Sequence, residues 1–89
     1  MPNQFEKDPQ AKLDYHIDWS LFLGSDTIST SVWTVPDGIT KVSDSNTSTI
    51  STIWVSGGTL GVEYSLVCHI TTAAGRQDDR TVRIRIISK

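Results

Sequence analysis

The sequence has 89 residues, a formal net charge of −2 at pH 7 and a hydrophobic fraction of 37%. A chain of this length supports one domain with one thin core, which leaves little stability for a deep catalytic cleft. The slightly acidic charge argues against nucleic acid as the main partner. The single cysteine, Cys68, excludes an internal disulfide and any multi-cysteine metal site.

Composition indicates a protein built from strands. Ser and Thr account for 22 of the 89 residues, and abundant Thr, Val and Ile with few helix formers is typical of β-sheet. No apolar run approaches the roughly 20 residues that a membrane-spanning helix needs, so no membrane partner is expected. The first ten residues lack the apolar stretch of a secretory signal, and the absence of disulfides favours a reducing compartment or a virion.

The N-terminal residues 1–12 are polar and contain two prolines. They are predicted to form an extended arm outside a domain that covers residues 13–89. Such an arm is either mobile or ordered along a neighbouring molecule, and ordering is expected only in the complex.

The first strand is predicted from Leu13 to Trp19, where apolar residues alternate with polar ones. Residues 20–23 fit a single helical turn. The strand predicted at 28–35 needs a bulge or two apolar faces, because Trp33 and Val35 share one face while Ile28 and Val32 fall on the other.

The second half of the chain contains the remaining predicted strands. After a turn at 36–38, residues 39–42 are predicted as a short strand, 43–46 as a loop and 47–55 as a strand. Residues 62–72 alternate most clearly, and 81–87 return after a hairpin loop at 73–76, in which Gly75 takes a left-handed conformation. Six or seven short strands with closely spaced turns predict an all-β, single immunoglobulin-like antiparallel sandwich.

The core of this sandwich is predicted from the inward positions of each strand. Tyr64 lies in a segment similar to the tyrosine corner of immunoglobulin-like domains, so its hydroxyl is expected to bond a nearby backbone group. The predicted core residues are Tyr15, Ile17, Trp33, Val35, Ile53, Val55, Tyr64, Leu66, Cys68, Ile70, Val82, Ile84 and Ile86.

Eight short segments of the chain carry a family resemblance: residues 13–15, 17–20, 26–28, 33–40, 53–59, 70–72, 75–76 and 78–80. They resemble segments of small structural proteins from tailed bacteriophages, of the fibre–tail adaptor type. The resemblance spans roughly residues 5–88 and contains no catalytic signature. It implies an immunoglobulin-like module, present in several copies, that docks one virion component onto another.

The residues offer little for catalysis. Cys68 and His69 are neighbours on one strand and therefore point to opposite faces, so they cannot act as a nucleophile and its base. His16 shares a predicted face with Asp14 and Asp18, but no further ligand is spaced to complete a metal site. The chain is therefore predicted to be non-enzymatic, with no metal and no cofactor.

The expected interface residues combine aromatic side chains with an unevenly distributed charge. Residues 1–44 carry seven acids against three lysines, whereas residues 76–89 carry five bases against two acids, which could orient a contact between copies or with a partner. Asp78 and Asp79 are expected to form either a local ion-pair cluster with the flanking arginines or an interface clamp. The candidate interface residues are Trp54, Trp19, Arg76, Asp78, Asp79, Arg80, Arg83, Arg85 and Phe5.

Three functional hypotheses follow. The first is a virion adaptor that joins tail, neck or head components to fibres, with other virion proteins and copies of itself as partners, assembled in the host cytoplasm. The second is a capsid decoration protein. The third is a carbohydrate-binding or adhesion module, in which Trp19 or Trp54 would stack on sugar rings.

Overall fold

The structure, a computed structural model, describes residues 4–88. No helix in this range is long and apolar enough to cross a membrane. The elements in chain order are β1 (Gln4–Lys7), β2 (Lys12–Asp18), α1 (Ser20–Leu23), β3 (Ile28–Thr34), β4 (Ile39–Asn46), β5 (Ile50–Gly57), β6 (Glu63–Thr72) and β7 (Gln77–Ile86).

The strands form two sheets that face each other. One sheet has the order β1-β7-β6-β3 and the other β2-β5-β4. Neighbouring strands are antiparallel, except that β1 runs parallel to β7 with Phe5 opposite Ile84. The predicted sandwich of about seven short strands is therefore confirmed, with one parallel edge pair that the alternation pattern did not indicate.

The core lies between the sheets and follows the alternation in sequence. Every predicted core residue is buried except Val35, which is half-buried against the core. Leu13 alternates in sequence with Tyr15 and Ile17 but is exposed, because it lies near the start of the edge strand β2. Four further apolar residues are buried within residues 4–88 and were absent from the predicted core: Trp19, Leu23, Ile28 and Ile39.

A bulge in β3 resolves the conflicting faces of that strand. The register with β6 shifts between Ile28 and Thr30, so that Ile28 and Trp33 are both buried. Val32 then points outward from the sheet and is exposed. Of the two alternatives predicted for this strand, a bulge or two apolar faces, the structure has the bulge.

Two strands are longer than predicted. β4 continues to Asn46, although residues 43–46 were predicted as a loop, and β7 begins at Gln77 rather than at residue 81. Polar residues such as Ser43 and Asp79 have little intrinsic strand preference, but backbone pairing with β5 and β6 holds them extended. β5 in turn begins at Ile50, three residues later than predicted.

Part of the predicted arm is a strand of the sandwich. Gln4–Lys7 pairs with β7 of its own chain, which corrects the expectation that this segment orders only on a neighbour. Lys7 is fully buried, and its Nζ donates hydrogen bonds to the carbonyls of Asp8 (2.9 Å) and Gly57 (2.7 Å). Burial lowers the pKa of Lys7, while the neighbouring Asp8 charge opposes that shift. These bonds tie the end of β1 to the end of β5.

Candidate interaction surfaces

The helical turn α1 closes one end of the sandwich. The Asp18 carboxylate accepts a hydrogen bond from the Ser20 N–H (2.9 Å), which lowers the pKa of Asp18. The Trp19 N–H donates to the carbonyl of Thr49 (2.9 Å), and the Leu23 N–H donates to the carbonyl of Trp19. The turn is therefore fixed to the loop between β4 and β5.

Trp19 belongs to the core rather than to the surface. Its side chain is fully buried, with Phe22 edge-on at 5.9 Å between ring centroids. The Arg80 guanidinium covers the indole at 4.5 Å and also donates a long hydrogen bond (3.5 Å) to the carbonyl of Asp18. The predicted exposure of Trp19 as an interface or sugar-stacking residue is therefore wrong, because α1 and Arg80 enclose it.

Asp26 organises the same end of the molecule. Its carboxylate accepts hydrogen bonds from the N–H groups of Thr27 (2.9 Å) and Ala74 (3.2 Å) and pairs with Arg76 Nε at 3.3 Å. The pKa of Asp26 is lowered, most of all by a hydrogen bond from the Thr72 hydroxyl and further by the bonds from Thr27, Ala74 and Arg76. Asp26 therefore joins the loop before β3 to the turn between β6 and β7.

Arg76 is held by its own chain. In addition to Asp26, its guanidinium lies 4.6 Å from the centre of the Phe22 ring and donates to the carbonyl of Leu23 (3.0 Å). The expected ion-pair cluster of Arg76 and Arg80 with Asp78 and Asp79 does not form among the described residues. In β7, the side chains of Asp78 and Arg80 are half-buried and point toward the other sheet. The side chain of Asp79 is exposed and points outward, so the two aspartates lie on opposite faces of the strand.

Leu21 projects from this rigid framework into solvent. It is 99% exposed and stands beside a shallow depression that α1 shares with the β6–β7 turn. We call this surface the α1 end; it consists of residues 21–26, Ala73, Ala74 and Arg76. Sequence reasoning missed Leu21, although an apolar residue at the outer position of a one-turn helix was a detectable signal.

The opposite end of the sandwich carries a second apolar surface. Leu60 and Val62 are 58% and 40% exposed in the connection between β5 and β6, which we call the β5–β6 end (residues 58–62). The Thr59 N–H donates to the Tyr64 hydroxyl (3.0 Å), which confirms the predicted bond of that tyrosine to the backbone. The Gly61 N–H donates to the carbonyl of Ile86 (2.8 Å), so the loop is held in place beneath its exposed side chains.

Trp54 lies on the outer face of the β2-β5-β4 sheet. Its neighbours Ile53 and Val55 are fully buried, and the indole is 39% exposed. Asp14 of β2 and Ser43 of β4 flank it in register. The predicted outward orientation of Trp54 is confirmed. We call its surroundings the Trp54 face, made of Lys12, Asp14, His16, Thr40, Ser43, Ser45, Thr52, Trp54 and Ser56.

The outer face of the other sheet mixes charges of both signs. Arg83 and Arg85 are exposed on β7, but Glu6 and Glu63 lie beside Arg85 in register. The separation of acids and bases along the sequence is therefore not reproduced on this surface. On the same face, further along β7, Asp79 pairs with His69 Nδ1.

Two further candidate residues lie elsewhere. Phe5 of β1 packs on Tyr15 with ring centroids 4.8 Å apart, and about a third of it is exposed at the edge of the sandwich. Asp78 is half-buried and accepts a hydrogen bond from the N–H of Asp79 (2.9 Å).

No cluster of His, Cys, Asp or Glu within residues 4–88 could hold a metal ion. Burial raises the pKa of the Cys68 thiol, which disfavours the reactive thiolate form.

The comparisons with known proteins agree with this architecture. A family model described as podophage GP4 fiber-tail adaptor protein gp77 matches residues 7–85. Among solved structures, the chain is similar to the PKD domain from the KIAA 1837 protein, with a TM-score of 0.61 and 15% sequence identity. That match covers 99% of this chain and 81% of the other, and at this identity it concerns the fold alone. No curated protein matches the sequence.

Proposed function

The chain belongs to the podophage fiber-tail adaptor family, and from that premise we propose that it joins a tail component to fibres through two separate protein contacts. The family match over residues 7–85 is the observation that carries the proposal. The family is one of phage structural adaptors, which are not typically enzymes, and this supports a structural role in the virion.

The two apolar ends supply the contact surfaces in this proposal. A bridge needs two surfaces far enough apart for two partners, and the α1 end and the β5–β6 end lie at opposite ends of the strands. The molecule measures 42 × 24 × 16 Å, and the proposal places one partner at each end of its strands.

Hydrogen bonds within the chain fix the backbone of both ends, which favours binding. The α1 end is held by Asp26 and Arg76, and the β5–β6 end by Tyr64 and the backbone of Ile86. Apolar side chains displayed on an ordered backbone lose little conformational entropy when a partner covers them. Leu21 and Leu60 are therefore the side chains that we expect to be buried by the two partners.

Several copies of the adaptor are expected to act together. The α1 end has nine residues and the β5–β6 end has five, whereas a standard interface of about 800 Å² per partner takes roughly 20–30 residues on each side. In a ring of copies around a tail, many weak contacts would act together, and the avidity of the ring would exceed the affinity of one copy.

Binding of single-site variants to purified tail and fibre proteins of the encoding phage tests the proposal. Leu21→Glu is expected to weaken one partner and Leu60→Glu the other, each by at least about tenfold in Kd. Val32→Glu is the matched control, because Val32 is an exposed apolar residue of β3 away from both ends. Loss of neither interaction in either variant, or binding of the native protein only to capsid shells, would refute the two-ended adaptor.

A further inference from the structure

The Trp54 face has an isolated aromatic ring at the centre of a flat, polar sheet surface. Trp54 is the middle residue of the central strand, with Asp14 on one side and Ser43 on the other. The rows before and after it place Ser56 between Lys12 and Thr40, and Thr52 between His16 and Ser45. The residues paired across from the indole and in the two adjacent rows therefore all carry hydrogen-bonding side chains.

These polar groups are not used by the fold. The carboxylate of Asp14 and the hydroxyls of Ser43, Ser45, Thr52 and Ser56 make no side-chain hydrogen bond or ion pair within residues 4–88. Their donors and acceptors are available to a ligand. Lys12 and Asp14 carry opposite charges, so the centre of the face is close to neutral.

This arrangement differs from the two apolar ends. A protein-binding hot spot is typically an aromatic residue enclosed by other side chains that exclude water. Around Trp54 the apolar neighbours are few: Ile50 is half-buried at the end of β5, and Val42 lies in the bulge of the edge strand β4. An aromatic platform with surrounding polar groups instead suits a ligand that has an apolar face and a rim of hydroxyls.

We propose that the Trp54 face binds a neutral polysaccharide, with one pyranose ring stacked on the indole. The axial C–H groups of the sugar would pack on the aromatic ring. Its hydroxyls would donate to the Asp14 carboxylate and exchange hydrogen bonds with the hydroxyls beside it. The open, flat surface implies weak binding by one copy, with a Kd of roughly 1 mM, which repeated copies along a repeated polysaccharide would strengthen.

This inference is independent of the two-ended adaptor, because the Trp54 face contains neither Leu21 nor Leu60. Binding at this face would let an adaptor contact a bacterial surface polysaccharide while its two ends hold tail and fibre. A negative result for glycan binding at the Trp54 face would not affect the two-ended adaptor proposal, and a negative result for protein binding at the two ends would not affect the glycan proposal.

The test is a titration followed by NMR of the three tryptophan indole N–H groups. The probes are neutral oligosaccharides and the purified O-polysaccharide and capsular polysaccharide of the phage's host. Trp19 and Trp33 are buried, so their resonances serve as internal references. The expected result is a saturable shift of the Trp54 resonance with at least one neutral glycan, while the other two stay in place.

Variants separate a binding role from a structural one. Trp54→Ala is expected to raise the Kd at least about tenfold, Trp54→Tyr to restore part of the affinity, and Val32→Ala to change nothing. Thermal unfolding of each variant verifies that the fold is retained. The proposal is overturned if no neutral glycan shifts the Trp54 resonance at roughly ten times the expected Kd. It is also overturned if only anionic polysaccharides bind, or if folded Trp54→Ala binds as the native protein does.

Discussion

The two tyrosines give a matched pair of substitutions with opposite expected signs. Tyr15 and Tyr64 are buried to nearly the same extent, at 7% and 6% exposure. The Tyr64 hydroxyl accepts the Thr59 N–H at 3.0 Å, whereas the buried Tyr15 hydroxyl has no hydrogen-bond partner among the described residues. Replacing each by phenylalanine removes one oxygen and leaves the ring in place.

The magnitudes follow from what each oxygen does. Tyr64→Phe deletes one hydrogen bond, worth about 0.5–1.5 kcal/mol, and Thr59 is exposed enough for water to take over part of it. A loss of about 1 kcal/mol corresponds to a fall in Tm of roughly 4–8 °C for a domain of this size. Tyr15→Phe removes a buried polar group that makes no bond, so stability is expected to stay the same or rise by up to about 1 kcal/mol.

Urea and thermal unfolding followed by circular dichroism measure both changes. The two variants must unfold with the same dependence on urea as the native protein, so that the difference in midpoint reports stability alone. If Tyr15→Phe destabilises the domain as much as Tyr64→Phe does, the account of these two hydroxyls is incorrect.

Three further predictions concern stability. Asp26→Asn is expected to lower Tm at pH 7, because the folded pKa of Asp26 lies below its unfolded value and its ionised form therefore stabilises the fold above that unfolded value. In a series of thermal melts at decreasing pH, the difference in Tm between the variant and the native protein should disappear as the pH falls through the folded pKa. Trp19→Ala costs about 3–5 kcal/mol by urea unfolding and Trp54→Ala less than about 1, since only the former empties the core; similar losses would contradict their assigned positions. Gly58 (φ 101°) and Gly61 (φ 84°) both have left-handed backbones, but an added Cβ would lie 2.6 Å from Ile86 at Gly58 and would meet no atom within 4 Å at Gly61. In calorimetry, Gly58→Ala should therefore lower Tm further than Gly61→Ala. The reverse order would contradict this packing.

The alternation in sequence was sufficient for the sandwich because burial on one face dictates the residue pattern of each strand. Strand β6 shows this most clearly, with Tyr64, Leu66, Cys68 and Ile70 inward as predicted. The bulge in β3 was also predictable, since Ile28 and Trp33 cannot share a face in a regular strand.

The features that sequence reasoning missed depend on contacts between distant parts of the chain. Residues 43–46 resemble a loop until β5 pairs with them, and β1 has no apolar pattern that would attach it to β7. From the sequence, Trp19 is the last residue of a half-buried strand. Its enclosure depends on Phe22 of α1 and on Arg80, which lies far along the chain. Arg76 likewise has its carboxylate partner in Asp26 rather than beside it in β7.

Cryo-electron microscopy of the tail of the encoding phage tests the central claim most directly. We expect this sandwich to lie between a tail protein and a fibre, with Leu21 of the α1 end buried against one and Leu60 of the β5–β6 end against the other. Density for the domain on the capsid surface, or at the tail with both ends exposed to solvent, would contradict it.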